Sequence, residues 1–306
     1  MYTPTNMALE LDSLQRPLHK LRKSLKDFPK EPPAEDVHRL RTQARRLEAM
    51  AAALMFGENG HARRMLKTVA ALRKAAGEVR DMDVHINHAR ELAKGDIRDD
   101  DRACLERLAH HLCAIRVQSA GVLYAKVAEA RKAARHGLKQ YSRQVERNFE
   151  GGRPNASRAR AQAGTPPRVD PAAVALDFAS ELSQWPRLHT GNLHRFRIKV
   201  KKLRYVVELV EDADQNLVNA LQEVKDRIGE WHDWNELGKI AREVLDHRGD
   251  CSVRGKVQEI EKVKLNEALT SANAMRKQYL GPEAMDPKGR KGPSAQLNGW
   301  TTRSVA

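Results

Sequence analysis

An all-α protein made of two related helical bundles is what this chain predicts, on three observations. Apolar residues recur at helical spacing, strand signals are scarce, and one helix-sized motif occurs twice. Leu11, Leu14, Leu18, Leu21 and Leu25 step by three and four, as do Val37, Leu40, Ala44, Leu47 and Ala51, and again Leu193, Phe196, Val200, Leu203 and Val207. That spacing puts one apolar stripe on each helix, to be buried against other helices. Aromatic residues make up only 5% of the chain, and no stretch alternates with a period of two for long, which argues against strands. Further helices are expected at about 61–76, 80–94, 101–148, 172–185, 216–229, 233–247 and 252–279, with ends uncertain by ~2–4 residues.

Composition narrows the function. The 306 residues carry 55 Lys+Arg against 40 Asp+Glu, a formal charge of +15. A hydrophobic fraction of 41% is too high for a disordered chain. The longest apolar run, Ala49 to Phe56, falls far short of the ~18 residues of a membrane span. The N-terminus MYTPTNMALELDSL lacks the basic start and apolar stretch of a signal peptide. Cys104, Cys113 and Cys251 sit at no metal-ligand spacing and suit a reducing compartment. The expectation is a soluble cytoplasmic protein with an anionic partner, no membrane and no cofactor. Residues 149–171, rich in Gly, Pro, Ala and Arg, read as a linker, and 281–306 as a disordered tail. The linker divides residues 5–280 into halves of about 5–148 and 172–280, each long enough for a helical bundle.

A repeat ties the halves together. The segment from Val37 to Leu47, VHRLRTQARRL, shares its pattern of apolar, His, basic, apolar and basic residues with LHRFRIKVKKL, Leu193 to Leu203. His194 follows His38 by 156 residues. Downstream, GEVRDMD from Gly77 matches GEWHDWN from Gly229, an offset of 152. Two separate matches at nearly one spacing point to a duplicated bundle with pseudo-twofold symmetry.

The repeated helix carries the chemistry. At about 100° per residue, Arg41 and Arg45 lie within about 60° of His38, beside the apolar stripe, while Arg39 and Arg46 fall about 80–100° to its other side. The second copy places His194, Arg197, Lys201 and Arg204 in the same arc and Arg195 and Lys202 opposite. No acid interrupts either basic segment. Exposed helices ordinarily mix Glu with Lys, because like charges a turn apart repel. An anion that binds both copies relieves that repulsion, and ten cations suit an extended polyanion better than one phosphate group. The two faces are expected to meet in one basic groove, where their fields are focused. His38 and His194 stand where each could donate to a phosphate oxygen. A solvated basic face remains the plain alternative, and it weighs most on the second-tier residues Arg39, Arg195, Arg63, Lys67, Lys20 and Arg73. Asp81 and Asp233 read as structural, capping a helix start or orienting an arginine. A metal site from Asp81, His85 and His88 lacks a second helix to complete its shell, and no metal is assigned.

VHRLRTQARRL and LHRFRIKVKKLRY resemble the paired signature helices of the CHAD family, the conserved histidine α-helical domain. GEVRDMDV is similar to that family's Arg-Asp-x-Asp element, with GEWHDWN a more divergent copy. The resemblance spans about residues 5–280. It implies two antiparallel helical bundles around a basic central pore that binds inorganic polyphosphate, with an association with polyphosphate granules in the cytoplasm. Carried over position by position, it assigns the pore to His38, Arg41, Arg45, Arg46, His194, Arg197, Lys201, Lys202 and Arg204. Glu48 occupies the place that Arg204 takes in the second copy and is left out. Some relatives add a triphosphate-tunnel domain with a Glu-x-Glu-x-Lys strand. Here only Glu259-Ile260-Glu261-Lys262 occurs, one position short and in a helical context.

Two rival functions were weighed. A sequence-independent nucleic-acid binder fits the charge, and other polyanions remain candidate partners. Single-strand binders stack bases on aromatics, however, and these helices offer only Phe196, on the buried stripe, and Tyr205. A phosphohydrolase needs a carboxylate cluster facing the groove, and the basic helices carry none. A non-catalytic binder of inorganic polyphosphate is the expected function.

Overall fold

The computed structural model describes residues 4–53, 60–94, 98–150, 171–208, 210, 213–245 and 252–281. Among them are eight helices and no strand: α1 (Pro4–Lys26), α2 (Ala34–Ala53), α3 (Gly60–Leu92), α4 (Asp99–Glu150), α5 (Pro171–Ser183), α6 (Thr190–Val207), α7 (Gln215–Val244) and α8 (Ser252–Tyr279). The all-α class read from the periodicity is the class that forms. Residues 151–170 of the expected linker and 282–306 of the expected tail lie outside the described residues.

Two expected helix breaks do not occur. The expected gaps at 77–79 and 230–232 are helical: α3 runs unbroken from Gly60 to Leu92 and α7 from Gln215 to Val244. Gly77 and Gly229, which stand at these gaps, keep their backbone N–H, so the helix runs through them at a cost of only about 1 kcal/mol each. Both glycine-led motifs therefore sit in mid-helix. Asp81 does not cap a helix start, as the sequence had suggested.

The chain falls into two compact units, Met1–Asp83 with Cys113–Val169, and Val84–Leu112 with Asp170–Ala306. The division runs inside α3 and α4, so segment 84–112 belongs with the second unit although it precedes the expected linker.

In the first unit α1, α2 and the unit's portions of α3 and α4 enclose one apolar core. Leu18, Leu21 and Leu25 of α1, Leu40, Ala44 and Leu47 of α2, Val69, Ala76 and Val79 of α3, and Leu123, Val127 and Leu138 of α4 are all buried in it. Helix α2 starts directly after Pro32-Pro33, whose fixed φ suits a helix entry. The Pro33 carbonyl accepts from the amides of Asp36 and Val37 at 3.1 and 3.2 Å, and the early acids Glu35 and Asp36 suit the positive end of the helix dipole. Arg116 of α4 fastens this connection: its Nε donates to Asp83 Oδ1 and its Nη2 to the Pro32 carbonyl, both at 2.8 Å.

In the second unit the described helices α5, α6, α7 and α8 pack in sequence order, each against the next. The α6 stripe, Leu193, Phe196, Val200 and Leu203, is buried as its spacing predicts. A capping box fixes the start of α6: the Gly191 amide donates to His189 Nδ1 at 3.2 Å, and the His189 amide donates to Asn192 Oδ1 at 3.0 Å. Asp214 caps α7 by accepting from the Asn216 amide at 2.8 Å. Asp101, near the start of α4, is buried and accepts from the Ser252 hydroxyl at 2.5 Å. Glu261, from the candidate tunnel motif, lies on α8, where its Oε1 accepts from Asn235 Nδ2 at 2.6 Å.

Removing Arg116 would strand the buried carboxylate of Asp83. Arg116→Ala is therefore expected to lower stability by about 3 kcal/mol, and Arg116→Ala with Asp83→Ala to recover part of the loss. Urea denaturation followed by circular dichroism measures both. Equal losses in the single and double variants would show that the pair does not hold the fold.

Candidate polyanion-binding site

Each unit presents one basic helix beside its core. On α2, burial of Val37, Leu40, Ala44 and Leu47 fixes the roll of the helix. His38 is then exposed, while Arg41 and Arg45 are half-buried along its flank. Arg41 reaches α3: its Nη2 lies 3.2 Å from Asp81 Oδ1. The same guanidinium lies across Gly77, with Nε 3.5 Å from where a Cβ on that residue would stand. Asp81 thus orients an arginine of the basic helix, one of the two roles its position suggested.

The His38 imidazole titrates below the ordinary histidine value. Partial burial is the main cause, and the charges of Arg80, Arg41 and Arg45 add to it. The remaining cations of this unit divide. Arg46, Lys20, Arg63 and Lys67 are exposed. Arg39 pairs with Asp36 in the preceding turn. Arg73 is held by Glu48 at 2.6 Å. Burial raises the Glu48 carboxyl pKa, against the pull of Arg73 and Arg45. Glu48 therefore pairs with one of the second-tier arginines.

On α6 the same local design recurs inside the second unit. Arg197 is half-buried and its Nε donates to the Lys225 carbonyl of α7 at 3.0 Å. Its guanidinium lies across Gly229 more tightly than Arg41 lies across Gly77: a Cβ there would stand 3.0 Å from Cζ and 3.2 Å from Nε. His194 is exposed, with its ring centroid 4.5 Å from that of His232 on α7. Its pKa is lowered, first by burial, then by Arg197 and Lys201, with Glu236 opposing. Glu236 itself sits low. Burial would raise it, but Lys239, His232 and His85 outweigh that.

Lys201 is half-buried on this face, whereas Lys202 and Arg195 are exposed. Arg204 pairs with Glu208 and lies 4.6 Å over the Tyr205 ring. Lys199, at the far edge, donates to Glu181 of α5 at 2.7 Å. The candidate residues therefore form two groups: His38, Arg41, Arg45 and Arg46 in the first unit, and His194, Arg197, Lys201, Lys202 and Arg204 in the second.

Sequence reasoning missed two members of these faces. Arg80 acts on His38, and His232 stands beside His194. Each lies three residues, about one turn, after the glycine that receives the arginine. That shared offset was the available signal, hidden by reading both motifs as helix starts. His85 and His88, weighed earlier as metal ligands, lie on the second unit's part of α3, where His88 stacks on Trp234 at 4.3 Å. Asp81 belongs to the first unit.

A family model described as the CHAD domain matches residues 13–242. The chain belongs to the CHAD family. Among solved structures, PptA from Streptomyces chartreusis is similar to this CHAD chain with a TM-score of 0.57 at 14% sequence identity, covering 89% of this chain and 98% of PptA. At that identity the likeness concerns the fold. No curated protein matches the chain by sequence. Among the described residues no helix is long and apolar enough to cross a membrane.

The two glycines give a discriminating test. Gly229→Ala should retain helicity, since alanine favours helix, yet displace Arg197. Misplacing one charged donor should weaken binding of long-chain polyphosphate roughly three- to tenfold. Gly77→Ala, whose Cβ would meet Arg41 at ordinary contact distance, should change binding little. Fluorescence titration reads both, and an equal effect of the two substitutions would contradict the placement of Arg197.

Proposed function

We propose that this CHAD protein binds inorganic polyphosphate without hydrolysing it, through the cationic faces of α2 and α6. One observation carries the reading. In each unit an arginine of the basic helix is laid on a glycine of the next helix, beside a histidine whose protonation the neighbouring cations oppose. Fixed guanidinium groups lose little entropy on binding phosphate oxygens and hold them with charge-assisted hydrogen bonds. A polyanion also removes the repulsion among neighbouring cations. Family membership supports the same ligand, because the CHAD resemblance implies polyphosphate. A chain long enough to engage both faces gains avidity from the second contact. Discrimination follows charge density, since a phosphate chain presents no base edges to read. A cytoplasmic setting, in contact with polyphosphate granules, belongs to the same proposal.

Competition decides between ligands. In a pull-down on immobilised polyphosphate, soluble long-chain polyphosphate should displace the protein at lower phosphate concentration than DNA or RNA, and the reverse order would favour a nucleic-acid binder. Arg197→Glu with Lys201→Glu should weaken binding more than tenfold at unchanged helicity. Incubation with polyphosphate and a divalent metal should release no orthophosphate, and measurable release would revive the phosphohydrolase.

Proton linkage gives an independent check. His38 and His194 have lowered pKa values in the free protein, and a bound polyanion favours their charged forms. Binding therefore takes up protons, and affinity should rise as pH falls from about 7.5 toward 6. In the free protein the sign is opposite. A folded-state pKa below the unfolded value makes the unfolded chain bind more protons, so these two groups cost stability as pH falls through the unfolded value of 6.5. Affinity measured across this range should lose its pH dependence in His38→Gln with His194→Gln. A flat profile in the wild type would remove the histidines from the site.

A further inference from the structure

A second cationic feature of the first unit lies on helices that take no part in the α2 face. Two hydrogen bonds set how α1 packs on α4. Gln15 Nε2 donates to the Ser142 carbonyl at 2.9 Å, and Arg131 Nη2 donates to the Phe28 carbonyl at 3.4 Å. The helices are therefore antiparallel, and their register brings Arg22 level with Arg135. Both side chains are half-buried, and the Nε of each, like that of Arg131, is buried with no hydrogen-bond partner. No acid occurs in α1 from Gln15 to Lys26 or in α4 from Ala130 to Val145. His19, Lys26, Lys132 and Lys139 border the same edge and are exposed. Orphaned buried donors destabilise a fold, and cations in register add repulsion.

The second unit shows that the architecture does not require these arginines. There Arg276 of α8 donates to the carbonyls of Ser183 and Trp185 after α5, the counterpart of Arg131 on Phe28. Counted from Trp185 and Arg276 as Arg22 and Arg135 are counted from Phe28 and Arg131, the matching positions are Ala179 and Leu280, both buried. Helix α5 carries no Lys, Arg or His at all. An apolar pair fills the seam in one unit, while two guanidinium groups with unsatisfied donors occupy it in the other.

We propose that the α1–α4 seam of the first unit is a separate anion site, in which Arg22 and Arg135 hold one phosphate group between them. The shared chemistry is a compact phosphoryl dianion, either free or as part of a longer chain. A forked guanidinium matches two phosphate oxygens, and an acceptor there satisfies the donors that the fold leaves open. This proposal does not rest on the polyphosphate reading of α2 and α6.

The test is thermal melting of the full chain during titration with inorganic pyrophosphate and, separately, with long-chain polyphosphate. Three proteins are compared: wild type, Arg22→Ala with Arg135→Leu, and Arg197→Glu with Lys201→Glu. Pyrophosphate should raise the melting temperature of the wild type and of the α6 variant alike. Arg22→Ala with Arg135→Leu, which copies the second unit, should melt no lower than wild type without anion and need at least tenfold more pyrophosphate for the same shift. Arg22→Gln with Arg135→Gln, which keeps polar side chains in the seam, provides a second route to the same loss. A shift given only by the long chain, and lost in the seam variants, would assign the seam to a group within a chain. Absence of any shift in the wild type, or a shift unchanged in both seam variants, overturns the proposal.

Discussion

A guanidinium laid across a helix where glycine leaves out the Cβ is the contact on which the candidate site depends. An arginine on a surface helix ordinarily samples many rotamers, and binding must then order it. Arg197 has much of that freedom removed in advance, by the Lys225 carbonyl and by the open helix surface at Gly229. Arg41 lies over Gly77 more loosely, at ordinary contact distance, and is held by Asp81. Each arginine adds to the lowering of the pKa of the histidine one turn before it, after burial and, at His38, after Arg80. On the proposed function, histidines beside these cations would gain charge when an anion binds.

The two faces are similar without being equivalent, and the differences have physical content. Arg41 lies beside the Asp81 carboxylate, and Arg197 donates to the Lys225 carbonyl. Glu48 in the first unit stands where Arg204 stands in the second, and it also holds Arg73. Beside the histidines, the first unit places Arg80 and the second places His232. The second face therefore has an imidazole where the first has a guanidinium. The α1–α4 seam breaks the correspondence further, since Arg22 and Arg135 occupy register positions that Ala179 and Leu280 fill in the other unit.

Much of this was legible in the sequence because apolar spacing determines which helical face is buried. Once Leu40, Ala44 and Leu47, or Phe196, Val200 and Leu203, turn inward, the direction of Arg41, Arg45, Arg197 and Lys201 follows from 3.6 residues per turn. The helix boundaries were harder. The segments after Gly77 and Gly229 read as new helix starts, because local propensity alone does not reveal that one helix continues through each glycine. That misreading also concealed Arg80 and His232, one turn beyond each glycine. Pairings such as Arg73 with Glu48 and Arg39 with Asp36 were beyond periodicity, since they depend on which rotamer reaches which acid.

Counterion release tests most directly whether fixed cations on α2 and α6 hold a polyanion. The measurement is the slope of the logarithm of the polyphosphate association constant against the logarithm of sodium chloride concentration, for the wild type and for Arg41→Gln with Arg197→Gln. Each engaged phosphate contributes roughly 0.7 to that slope, as for a single-stranded polyanion. Six engaged cations, Arg41, Arg45, Arg46, Arg197, Lys201 and Lys202, predict a slope of about −4 for the wild type, reduced in magnitude by about 1.4 in the variant. A slope near zero, or one that the two substitutions leave unchanged, would contradict the account.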